Sequence, residues 1–126
     1  MSTHPLNLAL RFVLEMVALA ALAWLGWSVA GGAVRWILAI GFPILAAALW
    51  GTFAVPNDAS RSGKAPVPVS GPVRLALEAA FFGAATASLA YCGYDSIASI
   101  FAVIVLAHYA LSYDRLQWLL QTRLLR

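Results

Sequence analysis

The sequence is short of charge and almost without cysteine. Only 10% of its residues are Asp, Glu, Lys or Arg, against about a quarter in an ordinary soluble domain. The single cysteine, Cys92, excludes an intrachain disulfide and a zinc site built on paired cysteines. It reads as a small packing residue. No nucleophile elbow, phosphate-cradling glycine loop, dinucleotide fingerprint or paired-metal motif occurs. Positive grounds for a catalytic residue, a metal or a cofactor are therefore missing. There is also no basic patch interleaved with spare aromatics. The formal charge is +3, and the basic residues sit beside apolar runs. That placement fits anionic lipid headgroups and argues against nucleic acid.

What is abundant is apolar surface. A chain of 126 residues that is 63% hydrophobic cannot hide so much of it in one core, so the excess faces lipid. Four apolar segments stand out, at about 6–27, 36–55, 73–91 and 97–113. Each is near the ~20 residues that a helix needs to cross ~30 Å of hydrocarbon. They are rich in Ala and Leu and do not alternate, which argues against strands. Ser28-Val29-Ala30 could end a signal peptide, but the run from Phe12 to Trp27 is longer than an ordinary signal core and has Glu15 inside it. It is read as a retained membrane helix. The expected fold is a single all-α domain, a polytopic membrane four-helix bundle.

The connections differ in kind. Gly31-Gly32 marks a short turn, and Gly93-Tyr94-Asp95-Ser96 a tighter one in which Asp95 or Ser96 can cap the fourth helix. Residues 56–72, with their prolines and small polar residues, read as an exposed, mobile linker. Pro72 suits the first turn of the third helix. Four crossings put both termini and this linker on one side. That side carries Arg11, Arg61, Lys64, Arg74, Arg115, Arg123 and Arg126, the other only Arg35. The positive-inside rule then makes the termini cytoplasmic in a bacterial cytoplasmic (inner) membrane. Trp24, Trp27, Trp36, Tyr91 and Tyr94 would form the outer aromatic belt. Trp50, Phe53, Tyr109, Tyr113 and Trp118 would form the inner one. The tail, 114–126, reads as an amphipathic helix on the inner headgroups. Leu116, Leu119, Leu120 and Leu124 share a side, while Arg115, Gln117 and Gln121 lean away.

Two charge pairs break the pattern. Arg11 precedes Glu15 by four residues, and Arg74 precedes Glu78 by the same spacing, each at the mouth of an apolar run. Trp24-Leu25-Gly26-Trp27 likewise echoes Tyr91-Cys92-Gly93-Tyr94. The chain thus reads as two parallel helical-hairpin repeats, related by an axis along the membrane normal. Helices one and three would meet; Arg11 can bond Glu15 within its own helix, though Arg before Glu is the poorer order, or it can cross to Glu78 while Arg74 crosses to Glu15. A lone charge at the centre of a membrane helix costs about 2.5–3.5 kcal/mol, and pairing removes much of that. Two small-residue stripes on the third helix would allow the approach: Ala76, Ala80, Ala84 and Ser88, and Ala79, Gly83 and Ala87. Phe81 and Phe82 flank it as packing residues. Gly41 and Pro43 should kink the second helix, because Pro43 cannot donate to the carbonyl of Ala39. His108 falls near the depth of the glutamates. It reads as a hydrogen-bonded structural histidine, with a proton relay or a weak metal site as alternatives.

The stretch Leu6-Asn7-Leu8-Ala9-Leu10-Arg11-Phe12-Val13-Leu14-Glu15 resembles the YrdB family, small bacterial membrane proteins of unknown function. So do Gly41-Phe42-Pro43, Trp50-Gly51-Thr52-Phe53 with Pro56, and Leu75-Ala76-Leu77-Glu78 with Phe82-Gly83. The resemblance covers most of the chain and departs in the fourth helix, where His108 stands at a position that is frequently Asn. It implies a four-helix membrane protein and supplies no activity. The function expected is that of an accessory or scaffold membrane subunit, with a structural network of Arg11, Glu15, Arg74 and Glu78 in the cytoplasmic leaflet. A small dimeric transporter or channel using Glu15, Glu78 and His108 is the alternative. An enzyme acting on a lipid or quinone comes behind it. The expected partners are the lipid bilayer and a second copy or another membrane protein.

Overall fold

The computed structural model describes residues 2–59 and 65–123. Arg61, Lys64, Leu124 and Arg126 lie outside the described residues. Five helices account for most of the rest: α1 (Pro5–Ser28), α2 (Gly32–Thr52), α3 (Gly71–Tyr91), α4 (Asp95–Leu111) and α5 (Tyr113–Gln121). The first three are each long and apolar enough to cross a membrane. α4 and α5 together make a fourth such stretch, bent by 73° at Ser112.

Local chemistry explains most boundaries. Pro5 and Pro72 occupy first turns, where a missing N–H costs nothing. His4 caps α1, its Nδ1 accepting from the Leu6 amide at 3.2 Å. α3 ends in a left-handed glycine, Gly93, at φ 88°. The Tyr94 amide then donates to the Leu89 carbonyl at 2.9 Å and the Gly93 amide to that of Ala90 at 3.1 Å, the Schellman pattern. The expected side-chain cap on α4 is absent. Tyr94 is the N-cap, and Asp95 sits in the first turn, where its charge complements the helix dipole. α2 runs unbroken through Gly41 and Pro43.

The start of the linker is held rather than free. Helix α2 stops at Thr52, and Phe53–Ala54 (β1) pairs in parallel with Val67–Pro68 (β2). Ala54, Val55 and Asp58 are buried. An exposed linker was expected here because its composition is polar, but backbone pairing and one buried carboxylate anchor its two described ends.

α3 lies at the centre, packed against α1, α4 and α5. Leu14, Ala18, Ala21 and Leu22 of α1 meet Phe81, Phe82 and Ala85 of α3, and Phe101 and Val105 of α4. Helices one and three therefore do touch, but not through most of the small residues. Of the two stripes, only Ser88 is buried; Ala76, Ala79, Ala80, Gly83, Ala84 and Ala87 are exposed. The bulky phenylalanines turn inward, and the alanines are left to line two shallow lateral grooves of about 350 Å³ each. α2 packs mainly on α1, at Gly26, where an added Cβ would lie 2.4 Å from the Leu38 backbone. No residue of α2 is buried. Its Ile37, Ile40, Ile44 and Leu45 face outward.

Candidate functional site: a buried glutamate held by three arginines

The charged residues converge on one atom pair, the carboxylate of Glu78. Its side chain is 0% exposed. Arg74, one turn earlier on α3, donates from Nε to Oε2 at 2.9 Å. Arg11 reaches across from α1, with Nη2 at 3.0 Å from the same oxygen. Arg115 enters from α5 and forks over both oxygens, Nη1 to Oε1 at 2.9 Å and Nη2 to Oε2 at 2.7 Å. The Tyr109 hydroxyl of α4 donates to Oε1 at 2.5 Å. Every helix except α2 thus sends a donor to this carboxylate or carries it. A planar guanidinium matches a carboxylate in two places, which is why Arg rather than Lys suits the task.

Two of the arginines are held in turn by further acceptors. Arg74 Nη1 donates to the carbonyls of Trp50 and Phe53, at and just beyond the end of α2. Carbonyls in the last turn of a helix have no intrahelical partner and carry the negative end of its dipole. α2 is therefore fastened at its end by a cation from α3. The Trp50 ring lies under the guanidinium of Arg74 at 4.3 Å and near that of Arg11 at 5.3 Å, which adds cation–π attraction. Trp50 also packs on Phe81 and Phe82. It belongs to this cluster, not to a lipid-facing belt. Arg115 donates to Asp58 as well, Nη2 to Oδ2 at 2.7 Å and Nε to Oδ1 at 3.2 Å. The buried linker carboxylate is thereby explained.

The five residues singled out from the sequence fare unequally. Arg11, Arg74 and Glu78 come together. Arg11 crosses to Glu78 as expected, but Arg74 does not cross to Glu15. Arg74 stays with the carboxylate on its own helix, because α2's carbonyls fix its other end. Glu15 is left at the edge, 4.0 Å from Arg11 Nε, with a side chain 20% exposed. His108 is buried and bonds Asn7 of α1 rather than a charge, Nδ1 to Oδ1 at 2.9 Å. The Asn7 amide passes the chain on to the Ser112 hydroxyl at 2.8 Å. Gly41 and Pro43 belong to no part of this cluster; their neighbour Phe42 lines one lateral groove.

Five participants are not marked by their local sequence: Trp50, Arg115, Tyr109, Asp58 and Asn7. Local polarity sets Arg115 among residues leaning towards water; it is buried, and so is Leu119 beside it, while Leu120 is exposed. The bend at Ser112 turns α5 so that its Arg115–Leu119 face packs on α3. There the Gly71 amide donates to the Thr122 carbonyl at 3.0 Å, and an added Cβ on Gly71 would lie 1.6 Å from the Leu119 oxygen. Tyr109 has the chemistry of a belt residue and Asp58 that of a linker charge, yet one bonds Glu78 and the other Arg115. Asn7 stands one turn before Arg11 on the same face of α1, the one spacing signal that could have pointed to it. At the surface, Ser2 ties to Asp114 through its hydroxyl at 2.6 Å and its amide at 3.2 Å. Those hydrogen bonds hold the exposed Asp114 carboxyl below its ordinary range. No group of three or more His, Cys, Asp or Glu suited to a metal ion occurs among the described residues.

The family described as "Protein of unknown function (DUF2568)" matches residues 9–106. The uncharacterized protein YrdB of Bacillus subtilis (strain 168) is 37% identical over 114 residues, covering 90% of this chain and 93% of its own. This chain belongs to the DUF2568 family. No solved structure matches it. The span matched to DUF2568 takes in Arg11, Glu15, Arg74 and Glu78, and stops short of Asn7 on one side and of His108 and Arg115 on the other.

Proposed function

We propose that this DUF2568 protein is a multi-pass accessory or scaffold subunit of a bacterial cytoplasmic membrane, and that the Glu78 cluster is the fastening of its bundle. The observation that carries the reading is the saturation of Glu78. Five donors from three arginines and a tyrosine occupy its two oxygens. A carboxylate has about four lone-pair sites, so one that already accepts from five donors has little room for a water or an incoming proton and is a poor proton carrier. Ion-pair networks of this kind imitate functional sites while serving structure. The transporter alternative needs Glu15, Glu78 and His108 to act together. Glu15 meets the cluster only at its edge, 4.0 Å from Arg11, and His108 bonds Asn7 rather than either glutamate, which weighs against it.

The orientation rests on charge. Among the described residues, Arg11, Arg74 and Arg115 gather at the Glu78 end of the bundle, and Arg35 lies beside Trp27 at the other, its guanidinium 4.1 Å from the ring. On the positive-inside rule the Glu78 end is cytoplasmic, with both termini. The contact of α1 with α3 supports a duplicated hairpin, whose halves have since diverged in the fate of their glutamates. α5 then closes the cytoplasmic mouth, with Leu120 and Tyr113 turned to the headgroups.

The test combines flux with capture. Tagged protein extracted in mild detergent should bring down a membrane partner or a second copy, and Leu120→Ser on the exposed face of α5, which spares the buried Arg115 and Leu119, should weaken that capture. Glu78→Gln should lower thermal stability. A Glu78→Gln protein that stays fully stable yet loses a solute flux present in wild-type proteoliposomes would overturn the scaffold reading.

A further inference from the structure

We propose that His108 and Arg11 hold a buried water molecule between them, a built site on the seam between α4 and α1. Both side chains are buried, His108 at 2% exposure. Each has one polar atom that makes no hydrogen bond among the described residues: Nε2 of His108 and Nη1 of Arg11. In a bundle interior such atoms are costly, and buried polar groups in folded proteins are nearly always bonded to protein or to ordered water.

The hydrogen bonds already made define what the occupant must be. The Asn7 amide group donates to Ser112, which leaves its Oδ1 to accept. His108 Nδ1, at 2.9 Å, is therefore the donor. In that tautomer Nε2 presents a lone pair. Arg11 Nη1 can only donate. The occupant must give a hydrogen to one atom and accept one from the other. A carboxylate cannot donate to Nε2, and a metal cation cannot accept from a guanidinium. A hydroxyl oxygen does both, and water is the smallest.

The two atoms belong to one seam. Asn7 and Arg11 lie one turn apart on a single face of α1. His108 bonds Asn7, while its neighbour Tyr109 bonds the same carboxylate that Arg11 holds. A water here closes a ring running through Ser112, Asn7, His108, Arg11, Glu78 and Tyr109. It would seal α4 to α1 where no direct charge pair joins them. The site does not depend on the scaffold reading. Its loss would leave Glu78 and its arginines as described, and a transporting protein would still need it.

Nitrogen-15 spectroscopy of the full chain in lipid bilayers tests this. The protein is labelled at histidine in a His4→Asn background, so that His108 alone reports. The expected result is a proton on Nδ1, none on Nε2, and a cross-peak from Nε2 to a slowly exchanging water. Arg11→Met, which keeps the length and removes every donor, should remove that cross-peak while the proton stays on Nδ1. If Arg11→Met does not fold, arginine-labelled protein with its native Arg11 should show the same water from the guanidinium side. A proton on Nε2, an Nε2 without water contact, or a water signal indifferent to Arg11→Met would overturn the proposal. So would a contact that survives equilibration in heavy water and leads to carbon-bound protons, since the hydroxyl would then belong to a lipid or other small molecule.

Discussion

The Arg11–Glu15 and Arg74–Glu78 pairs have the same residues at the same spacing, yet they end in opposite environments. Glu78 is sealed beneath three guanidiniums and a phenol, whereas Glu15 keeps one long contact and a partly open face. The difference is one of position. α3 runs through the middle of the bundle with α1, α4 and α5 around it, so its inward carboxylate can be reached from three sides. α1 packs on α2 and α3 and more lightly on α4, and α2 contributes no buried residue. Among the described residues Glu15 receives Arg11 alone, and at 4.0 Å. The arginine of the α1 pair therefore leaves its own helix for the better partner. Equal local sequence gives unequal chemistry because neighbours, not spacing, set the number of donors.

Removing the charge from each glutamate in turn breaks the comparison most directly. Glu78→Gln leaves buried guanidiniums short of a counter-charge and should cost about 3–5 kcal/mol, as breaking buried pairs does elsewhere. Unfolding titrated in mixed detergent micelles reads it. Arg115→Ala should come next. It strips two bonds from Glu78 and leaves the buried Asp58 without this partner, a loss of about 1.5–3 kcal/mol on the scale of charged hydrogen bonds. The same titration, with α5 amide exchange, would register it.

Gly71→Ala sharpens the comparison from the backbone. The new methyl would collide with the Leu119 carbonyl, so α5 must shift and Arg115 withdraw, for about 1–3 kcal/mol, the range of overpacked sites. Faster amide exchange confined to α5 and the 53–58 segment would mark that route. Glu15→Gln should cost less than about 1 kcal/mol, as for partly exposed pairs. A loss equal to that of Glu78→Gln would mean the two sites do not differ as described. The smallest effect concerns Asp114, whose carboxyl is held low by Ser2. A group whose pKa is depressed on folding contributes its full stability above its unfolded value, about 3.9, and loses it as pH falls from there through the lower folded value. Protection of the Ser2–His4 amides should therefore be complete at neutral pH and fade below about pH 4.

Much of this was legible from composition and spacing. The four apolar runs, their turns, the meeting of α1 with α3 and the crossing of Arg11 to Glu78 all follow from length, period and the cost of charge in lipid. The reading failed where one residue had two plausible homes. Arg115 and Asp58 lie in polar segments, and local sequence favours water for both. The alanines of α3 resemble a packing stripe, yet the phenylalanines took the interior because they bury more apolar area per residue. Trp50 and Tyr109 carry belt chemistry at belt depth, and nothing local says that a buried guanidinium or carboxylate will claim them.

The sequence by itself determined that the chain is helical, that it has more apolar surface than a core of its own can hold, and that two charge pairs need compensation. Those are properties of segments, written in period and composition. Only the tertiary structure decided which carboxylate would gather the arginines, because that depends on how many elements surround a point. The 73° turn at Ser112 brings α5 back over α3, and with it the third guanidinium that separates Glu78 from Glu15.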